Sequence, residues 1–386
     1  MVAHPRPAGE RRQETGGGLL NDLRDEDARR DLGDTFRRLI SATGPISLMH
    51  FMAESNMRYY AEKRVIGPGS GGGGSAGGDF ITAPEISQMF GELVGLWLAD
   101  MWVRAGRKEP VHYVELGPGR GTLARDAQRA MKHHGLTPKM HLVETSARMR
   151  DAQLASVPDA IQHRDLSTVP MEGTILLVAN EFLDALPVRQ LVKTVDGWRE
   201  IMVGVDGLGK FVETPGRQPM DSAVPEARRD DPPGTVIETS PASATVMFEV
   251  AGRLARQGGA ALFIDYGYTH GRSGSTLQAL KDHRKIGVFD APGDADITAH
   301  VDFAQMAQVA RSREARVLGT VTQGEWLTRL GINQRAEALA NVAPQHRDAL
   351  MRARDRLVKP DQMGDLFKVM GLAGPDWPDG AGFAEG

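Results

Sequence analysis

The chain of 386 residues contains no cysteine. That excludes disulfides, thiolate zinc sites and a cysteine nucleophile, and it is compatible with a reducing compartment. There is no excess of basic charge either. Lys and Arg number 46 against 50 Asp and Glu, a formal net charge of -4, so no global positive field attracts nucleic acid. No uninterrupted apolar run is long enough to span a bilayer, which argues against membrane insertion. The first residues carry no apolar h-region, so they do not read as a secretory signal. Glu10, Glu14, Asp22, Asp25, Glu26 and Asp27 come too early for an acid-poor mitochondrial presequence. The expectation is a soluble, cytoplasmic, bacterial protein with a disordered segment over 1–24. With 41% hydrophobic residues, the remainder can bury a sizeable core.

What is present centres on Val111 to Leu123, VHYVELGPGRGTL. A strand-like run ends in Glu115, glycines follow at 117, 119 and 121, and a helical pattern begins at Thr122. A strand, a tight glycine turn and a helix N-terminus form the place where α/β folds hold nucleotide-like cofactors. Glycine suits such a turn because the backbone can adopt positive φ and approach a ligand without a Cβ.

Upstream, the spacing predicts helices over 25–41 and over Ile46 to Tyr60, the second opened by Ser47. Gly67 to Gly78 holds only Gly, Pro, Ser and Ala and predicts a flexible loop. Its end, with Asp79 and Phe80, is a candidate lid, a plain surface insertion being the alternative. Thr82 is a candidate cap and Pro84 suits the first turn of a helix running past Glu85 to Trp102. This gives a helical cap over 25–110.

Downstream, strands are predicted at 112–116, 140–144, 160–163 and 174–179, separated by helices, as in a parallel sheet covered on both faces. Val188–Thr194, Trp198–Val205 and Lys210–Glu213 alternate apolar and polar residues around Asp-Gly turns, which predicts a small antiparallel insertion. A Pro- and charge-rich linker follows to 233. A strand at 235–238, a helix at 241–256, a strand at 260–265, a helix at 303–311, a strand at 316–321, a helix from 325, a long helix over 334–358 and an apolar run at 366–370 complete the pattern. The fold class is α/β, a Rossmann-like sheet over 111–187 and 234–372 with an N-terminal helical cap and a β insertion over 188–233.

Three details separate this turn from a dinucleotide site. Glu115 precedes the first glycine by two residues, the spacing is Gly-x-Gly-x-Gly, and an acid favours a cationic ligand such as S-adenosylmethionine. Glu144, about 20 residues on, ends the second strand, where an acid bonds a ribose diol; a helix N-terminal charge is the alternative. Asp165 follows the third strand and could accept from an adenine amino group, or be a surface turn acid. Asn180, Glu181 and Asp184 end the fourth strand, where ligands of open α/β sheets bind. Glu181 and Asp184 could align a cationic acceptor nitrogen and take its proton, with a capping cluster as the alternative. Asp265 and Tyr266 could line the same crevice. His283, Asp294, Asp296, His300 and Asp302 lack a regular ligand spacing, so no metal is expected.

Taken together, Gly44-Pro45-Ile46-Ser47, Tyr59-Tyr60, Gly78 to Glu92, Val114 to Leu123, Asn180 to Pro187 and Asp265-Tyr266-Gly267 resemble the MidA-like methyltransferases. These are class I S-adenosylmethionine enzymes related to the mitochondrial complex I assembly-factor arginine methyltransferase. The resemblance covers about Ser41 to Met370 and departs at the long Gly67–Gly77 run. It implies methylation of a protein arginine, with a respiratory complex I subunit as the mitochondrial example. Glu181 and Asp184 are then the candidates for orienting the guanidinium. A small-molecule O- or N-methyltransferase, an S-adenosylmethionine-binding assembly chaperone without turnover, and an NAD-binding protein are the rival readings. The oligomeric state is left open, a homodimer included.

Overall fold

The computed structural model describes residues 31–62 and 82–383. The expected disordered N-terminus, the glycine run, Asp79 and Phe80 lie outside the described residues. In chain order the strands are β1 (Ile46–Ser47), β2 (Val111–Leu116), β3 (Lys139–Val143), β4 (Ile161–His163), β5 (Thr174–Asn180) and β6 (Arg189–Thr194). Then come β7 (Gly197–Val205), β8 (Phe211–Pro219), β9 (Val236–Thr239), β10 (Gly259–Tyr268) and β11 (Gln278–Lys281). The last are β12 (Arg284–Ile286), β13 (Asp296–Thr298), β14 (Val301–Asp302), β15 (Arg316–Thr322) and β16 (Phe367–Ala373).

The main sheet runs β15-β16-β10-β5-β2-β3-β4, with β14 added beside β10. Its strands β2, β3, β4, β5 and β10 are parallel, but β16 is antiparallel to both β10 and β15. The four strands expected to be parallel are parallel, and the sheet as a whole is mixed because β16, reached after the helices that follow β15, inserts antiparallel between β15 and β10. β2 and β5 are buried at every position, as strands covered on both faces must be. One face packs on Trp97, Leu98, Trp326 and Leu123; the other packs on Met247, Leu254, Phe303 and Met306.

The helices form where the apolar spacing places them, with four local differences. The helix expected from Ile46 begins at Leu48, because Ile46-Ser47 pair with β7 as β1. The helix expected through Pro84 to Trp102 divides at Ser87, which is extended (φ -161°, ψ 139°) and accepts from the Met89 amide at 3.2 Å. Ser87 thus caps Gln88–Arg104, a stronger stop than continuation because a serine can bond the orphan amides of a new helix. Thr82 precedes Ala83–Ile86 but makes no side-chain cap, correcting that expectation; its carbonyl accepts from Glu85 and Ile86. The long helix over 334–358 is two, Ile332–Val342 and Arg347–Val358, separated at Ala343-Pro344, where proline disfavours helical geometry in the residue before it.

The small antiparallel sheet has the order β1-β7-β6-β9, with β8 beside β7. It draws on three separated parts of the chain. β1 comes from the N-terminal cap, and β9 comes from the strand assigned above to the core. β8 continues to Pro219, into the expected linker. A further three-stranded sheet, β12-β11-β13, lies in a stretch where no strands were expected. β1, Leu48, Phe51, Val203 and Ile297 share one core, which joins cap, insertion and this third sheet.

Across the edge of the main sheet three buried histidines touch in series. His112 Nδ1 lies 2.8 Å from His141 Nε2, His141 Nδ1 lies 2.9 Å from His163 Nε2, and His163 Nδ1 lies 2.8 Å from the Thr168 hydroxyl.

Candidate active site

The parallel strands β2, β5 and β10 stand side by side, so their carboxyl ends open on one edge. The strand order reverses between β2 and β5, the position where open α/β sheets bind ligands. The glycine turn leaves β2 here, and Asn180 to Pro187 leaves β5. Asp265 and Tyr266 lie in the last part of β10.

Gly117, Gly119 and Gly121 all have positive φ, at 62°, 52° and 77°. Gly121 is the left-handed residue that opens the helix Thr122–His133. At Gly117 a Cβ would lie 2.8 Å from Phe182 Cδ2, so the turn and the β5 loop are in close contact. Glu115, two residues before the first glycine, is buried in β2. Its carboxylate accepts from the Tyr113 hydroxyl at 2.6 Å, and burial pushes its pKa up to about 8 against that bond. A buried acid with one hydroxyl partner fits a cationic ligand above it.

Glu144 follows β3 and is half-buried. Its Oε1 accepts from the Ser146 amide at 2.8 Å, and burial raises its pKa despite the amide bonds. Asp165 is exposed. It accepts from the Ser167 amide at 2.7 Å, and the Ser167 bonds hold its pKa below the ordinary value. Both acids thus make the local turn contacts weighed as alternatives, at the ends of neighbouring strands β3 and β4.

The β5 loop is the densest part. Glu181 adopts φ 50°, a left-handed conformation rare outside glycine, and its amide donates to Ile264 at 2.9 Å. Its Oε1 accepts from the Ala83 amide at 3.2 Å and from Asn180 Nδ2 at 3.3 Å. The segment holding Thr82, Pro84 and Glu85 is therefore bound directly to the end of β5. Burial pushes the Glu181 pKa up to about 8, with Asp265 and Glu85 adding repulsion. Burial raises Asp184 as well, with Asp265, Asp296 and Glu181 adding repulsion. Burial raises Asp265 too, opposed by the amides of Leu183, Asp184, Phe182 and Tyr266. Tyr266 rests against Phe367 with ring centroids 4.0 Å apart, and burial and the surrounding carboxylates raise its hydroxyl.

One expectation changes here. Asp265 turns its carboxylate onto the backbone of the β5 loop, so it builds the site rather than lining it. Two residues without an assigned role enter instead. The Tyr60 hydroxyl donates to Asp296 at 2.6 Å, and Asp296 acts electrostatically on Asp184. The signal was a pair of polar residues, Asn56 and Tyr60, four apart on a helix otherwise apolar on that side. Of the scattered acids, Asp302 caps the helix Phe303–Arg311 and Asp294 pairs with Lys281. Among the described residues no group of three or more His, Asp or Glu could hold a metal ion.

Comparison with known proteins agrees with this architecture. A family model described as "Putative S-adenosyl-L-methionine-dependent methyltransferase" matches residues 93–321. The rat protein named Protein arginine methyltransferase NDUFAF7, mitochondrial, is 34% identical over 372 residues, covering 86% of this chain and 82% of its own length. The human protein of the same name is 33% identical over 372 residues, with 86% and 81% covered. A Burkholderia thailandensis protein crystallised with S-adenosyl-homocysteine superposes with a TM-score of 0.78 at 30% identity, covering 97% of this chain and 98% of that one. The chain belongs to this family of S-adenosylmethionine-dependent methyltransferases, and S-adenosylmethionine is its methyl donor.

Proposed function

We propose that the protein methylates an arginine of a protein substrate, and that a subunit of a complex I-type respiratory assembly is that substrate. One observation carries the reading. Asp184 and Asp265 are buried beside the half-buried Glu181 at the end of β5, and the charges acting most strongly on Asp184 are the other carboxylates. Like charges gathered out of water are costly unless a cation joins them. A guanidinium brings positive charge and five N–H donors in one plane. The relatives named arginine methyltransferases support the same choice.

S-adenosylmethionine supplies an electrophilic methyl group on its sulfonium, and S-adenosylhomocysteine is left after transfer. The residues that would hold it are Glu115 beneath its cationic end, the backbone of Gly117 to Gly121, Glu144 for the ribose and Asp165 for the adenine. Asn180, whose buried Oδ1 has no hydrogen-bond partner, stands between donor and acceptor sites. Glu181 and Asp184 align the guanidinium, which matters because in-line displacement depends on positioning. Once a bound guanidinium has displaced its own proton, Glu181, raised by burial to about 8, can take up the proton that the methylated nitrogen loses.

Glu181→Gln and Asp184→Asn test this. S-adenosylhomocysteine affinity should stay within about threefold of wild type, while transfer to protein falls about a hundredfold or more. Wild-type transfer by both variants would remove the carboxylates from the chemistry.

A further inference from the structure

The helix Ala147–Ser156 turns an amide inward and an aliphatic side chain outward. Its buried residues are Met149 and Gln153, four apart on one face. Gln153 is 0% exposed, whereas Leu154 beside it is 39% exposed. The helix is thus set so that glutamine, not leucine, faces the protein. This placement is costly, because Gln153 Oε1 is buried without a hydrogen-bond partner among the described residues. An apolar side chain of similar length would avoid that cost. The other end of the same amide has a partner: Nε2 donates to the Gly119 carbonyl at 2.8 Å.

Backbone bonds secure the glycine turn on either side of that carbonyl. The Gly117 amide donates to Val143 at 3.1 Å, and the Gly121 amide donates to Pro118 at 2.8 Å. Gly121 also rests on the helix, where an added Cβ would stand 3.5 Å from Gln153 Cα. Gly119 differs. It is exposed, and among the described residues nothing beyond its chain neighbours lies within 4 Å of where its Cβ would stand. Glycine takes a positive φ, here 52°, about as readily as a negative one, so neither packing nor backbone preference fixes which way this peptide faces. The Gln153 bond does. In a trans peptide the N–H points opposite to the C=O, so the Arg120 amide is turned away from the helix. Turns of this kind offer backbone amides to the anionic part of a ligand, which in S-adenosylmethionine is its carboxylate.

We propose that Gln153 is a positioning residue for the methyl donor: it holds the Gly119 carbonyl back, so that the peptide shows the donor its amide and not its carbonyl. The inference rests on the assignment of Gly117 to Gly121 to the donor given above. Gln153 acts through Gly119.

The test is calorimetric titration of S-adenosylhomocysteine into the full chain from about pH 6 to about pH 9. Gln153→Leu, which fills the space without a hydrogen-bond donor, should bind about tenfold more weakly across the range. Gln153→Glu can donate to Gly119 only while its carboxyl is protonated. Its affinity should lie within about threefold of wild type at the acid end and fall about tenfold or more below wild type at the alkaline end. A role in packing alone would give no such profile. Unchanged affinity in Gln153→Leu, or a Gln153→Glu profile parallel to that of wild type, overturns the inference and leaves the donor assignment standing. Gly119→Val puts a side chain on the open flank of the turn and should lose most S-adenosylhomocysteine binding; wild-type affinity in that variant overturns both. If Gln153→Leu does not fold, Gln153→Glu decides: weakening with rising pH relative to wild type supports the proposal, and a parallel profile overturns it.

Discussion

The Oδ2 atom of Asp265 accepts the backbone amide of Leu183 at 2.8 Å. The same oxygen accepts from Phe182 at 3.1 Å and Asp184 at 3.3 Å, while Oδ1 accepts from Tyr266 at 2.9 Å. A carboxylate 1% exposed thus turns the chain sharply after β5 and sets where Glu181 and Asp184 point. Removing it leaves several buried amides unsatisfied. Asp265→Ala should cost about 3 kcal/mol or more of stability, by denaturant unfolding, and abolish transfer. A loss below about 1 kcal/mol would mean the loop holds its shape without this anchor.

Gly117 and Gly121 predict unequal costs although both have positive φ. At Gly117 the added Cβ would meet Phe182 at 2.8 Å, whereas at Gly121 its nearest neighbours are Ser156 Cβ at 3.4 Å and Gln153 Cα at 3.5 Å. Gly121→Ala should lose about 1–2 kcal/mol, the left-handed penalty alone. Gly117→Ala should lose more and bind S-adenosylhomocysteine at least about tenfold more weakly, because Phe182 must move. Thermal melts and titration calorimetry compare the two. Equal effects would show that Phe182 yields freely.

The site also sets a pH dependence. Burial raises Glu115 and Glu181 each to about 8, well above the unfolded value near 4.5. Between these values the folded state binds more protons than the unfolded chain, so stability falls as pH rises. Urea unfolding of ligand-free protein should show stability decreasing from about pH 5 to about pH 8. Glu181→Gln, which cannot ionise, should flatten that slope. A slope unchanged in Glu181→Gln would mean that this carboxyl is already charged at neutral pH.

The histidine series acts in the opposite direction. Burial lowers His112, His141 and His163, His141 to about 4. Lys139 lies near the first two and Arg253 near the third, both disfavouring a further positive charge, while a bond to the Glu172 backbone favours a proton on His112. The folded pKa is below the unfolded one, so the contribution is complete above about pH 6.5 and is lost as pH falls through about 4. Because each ring touches the next, three neutral histidines can be satisfied only if all carry the proton on the same nitrogen. Nitrogen NMR at pH 7 should find one common tautomer in the three rings. His141→Leu should reduce the acid sensitivity of unfolding; unchanged acid sensitivity would show that His141 does not carry it.

How much of this could be read from the residues depends on distance along the chain. The glycine turn, the Asp196-Gly197 hairpin and the Pro241 helix start are local, and their dihedral demands are written in adjacent residues. Local signals also existed where the reading went astray. Ser87 could cap a helix and Pro344 could end one, but strong apolar periodicity on both sides concealed them. β1 was out of reach, since Ile46-Ser47 becomes a strand only when β7 offers its edge; β9 was legible as a strand, but not that it would pair with β6. The same holds for Asp265, because nothing adjacent to it states that it will receive amides 81 to 83 residues away. The Asn56 contact with Ile297 and the Tyr60 contact with Asp296 span 241 and 236 residues, so they exist only after folding.

The central claim is that the end of β5 presents an arginine of a protein to the methyl donor. Methyl-labelled S-adenosylmethionine, incubated with the enzyme and a lysate of the source cells lacking it, tests this most directly. The labelled protein is then hydrolysed to amino acids and the labelled residue identified. The account predicts label in protein as N-methylated arginine, absent with Glu181→Gln. Label confined to small molecules, or recovered in another amino acid, would contradict it.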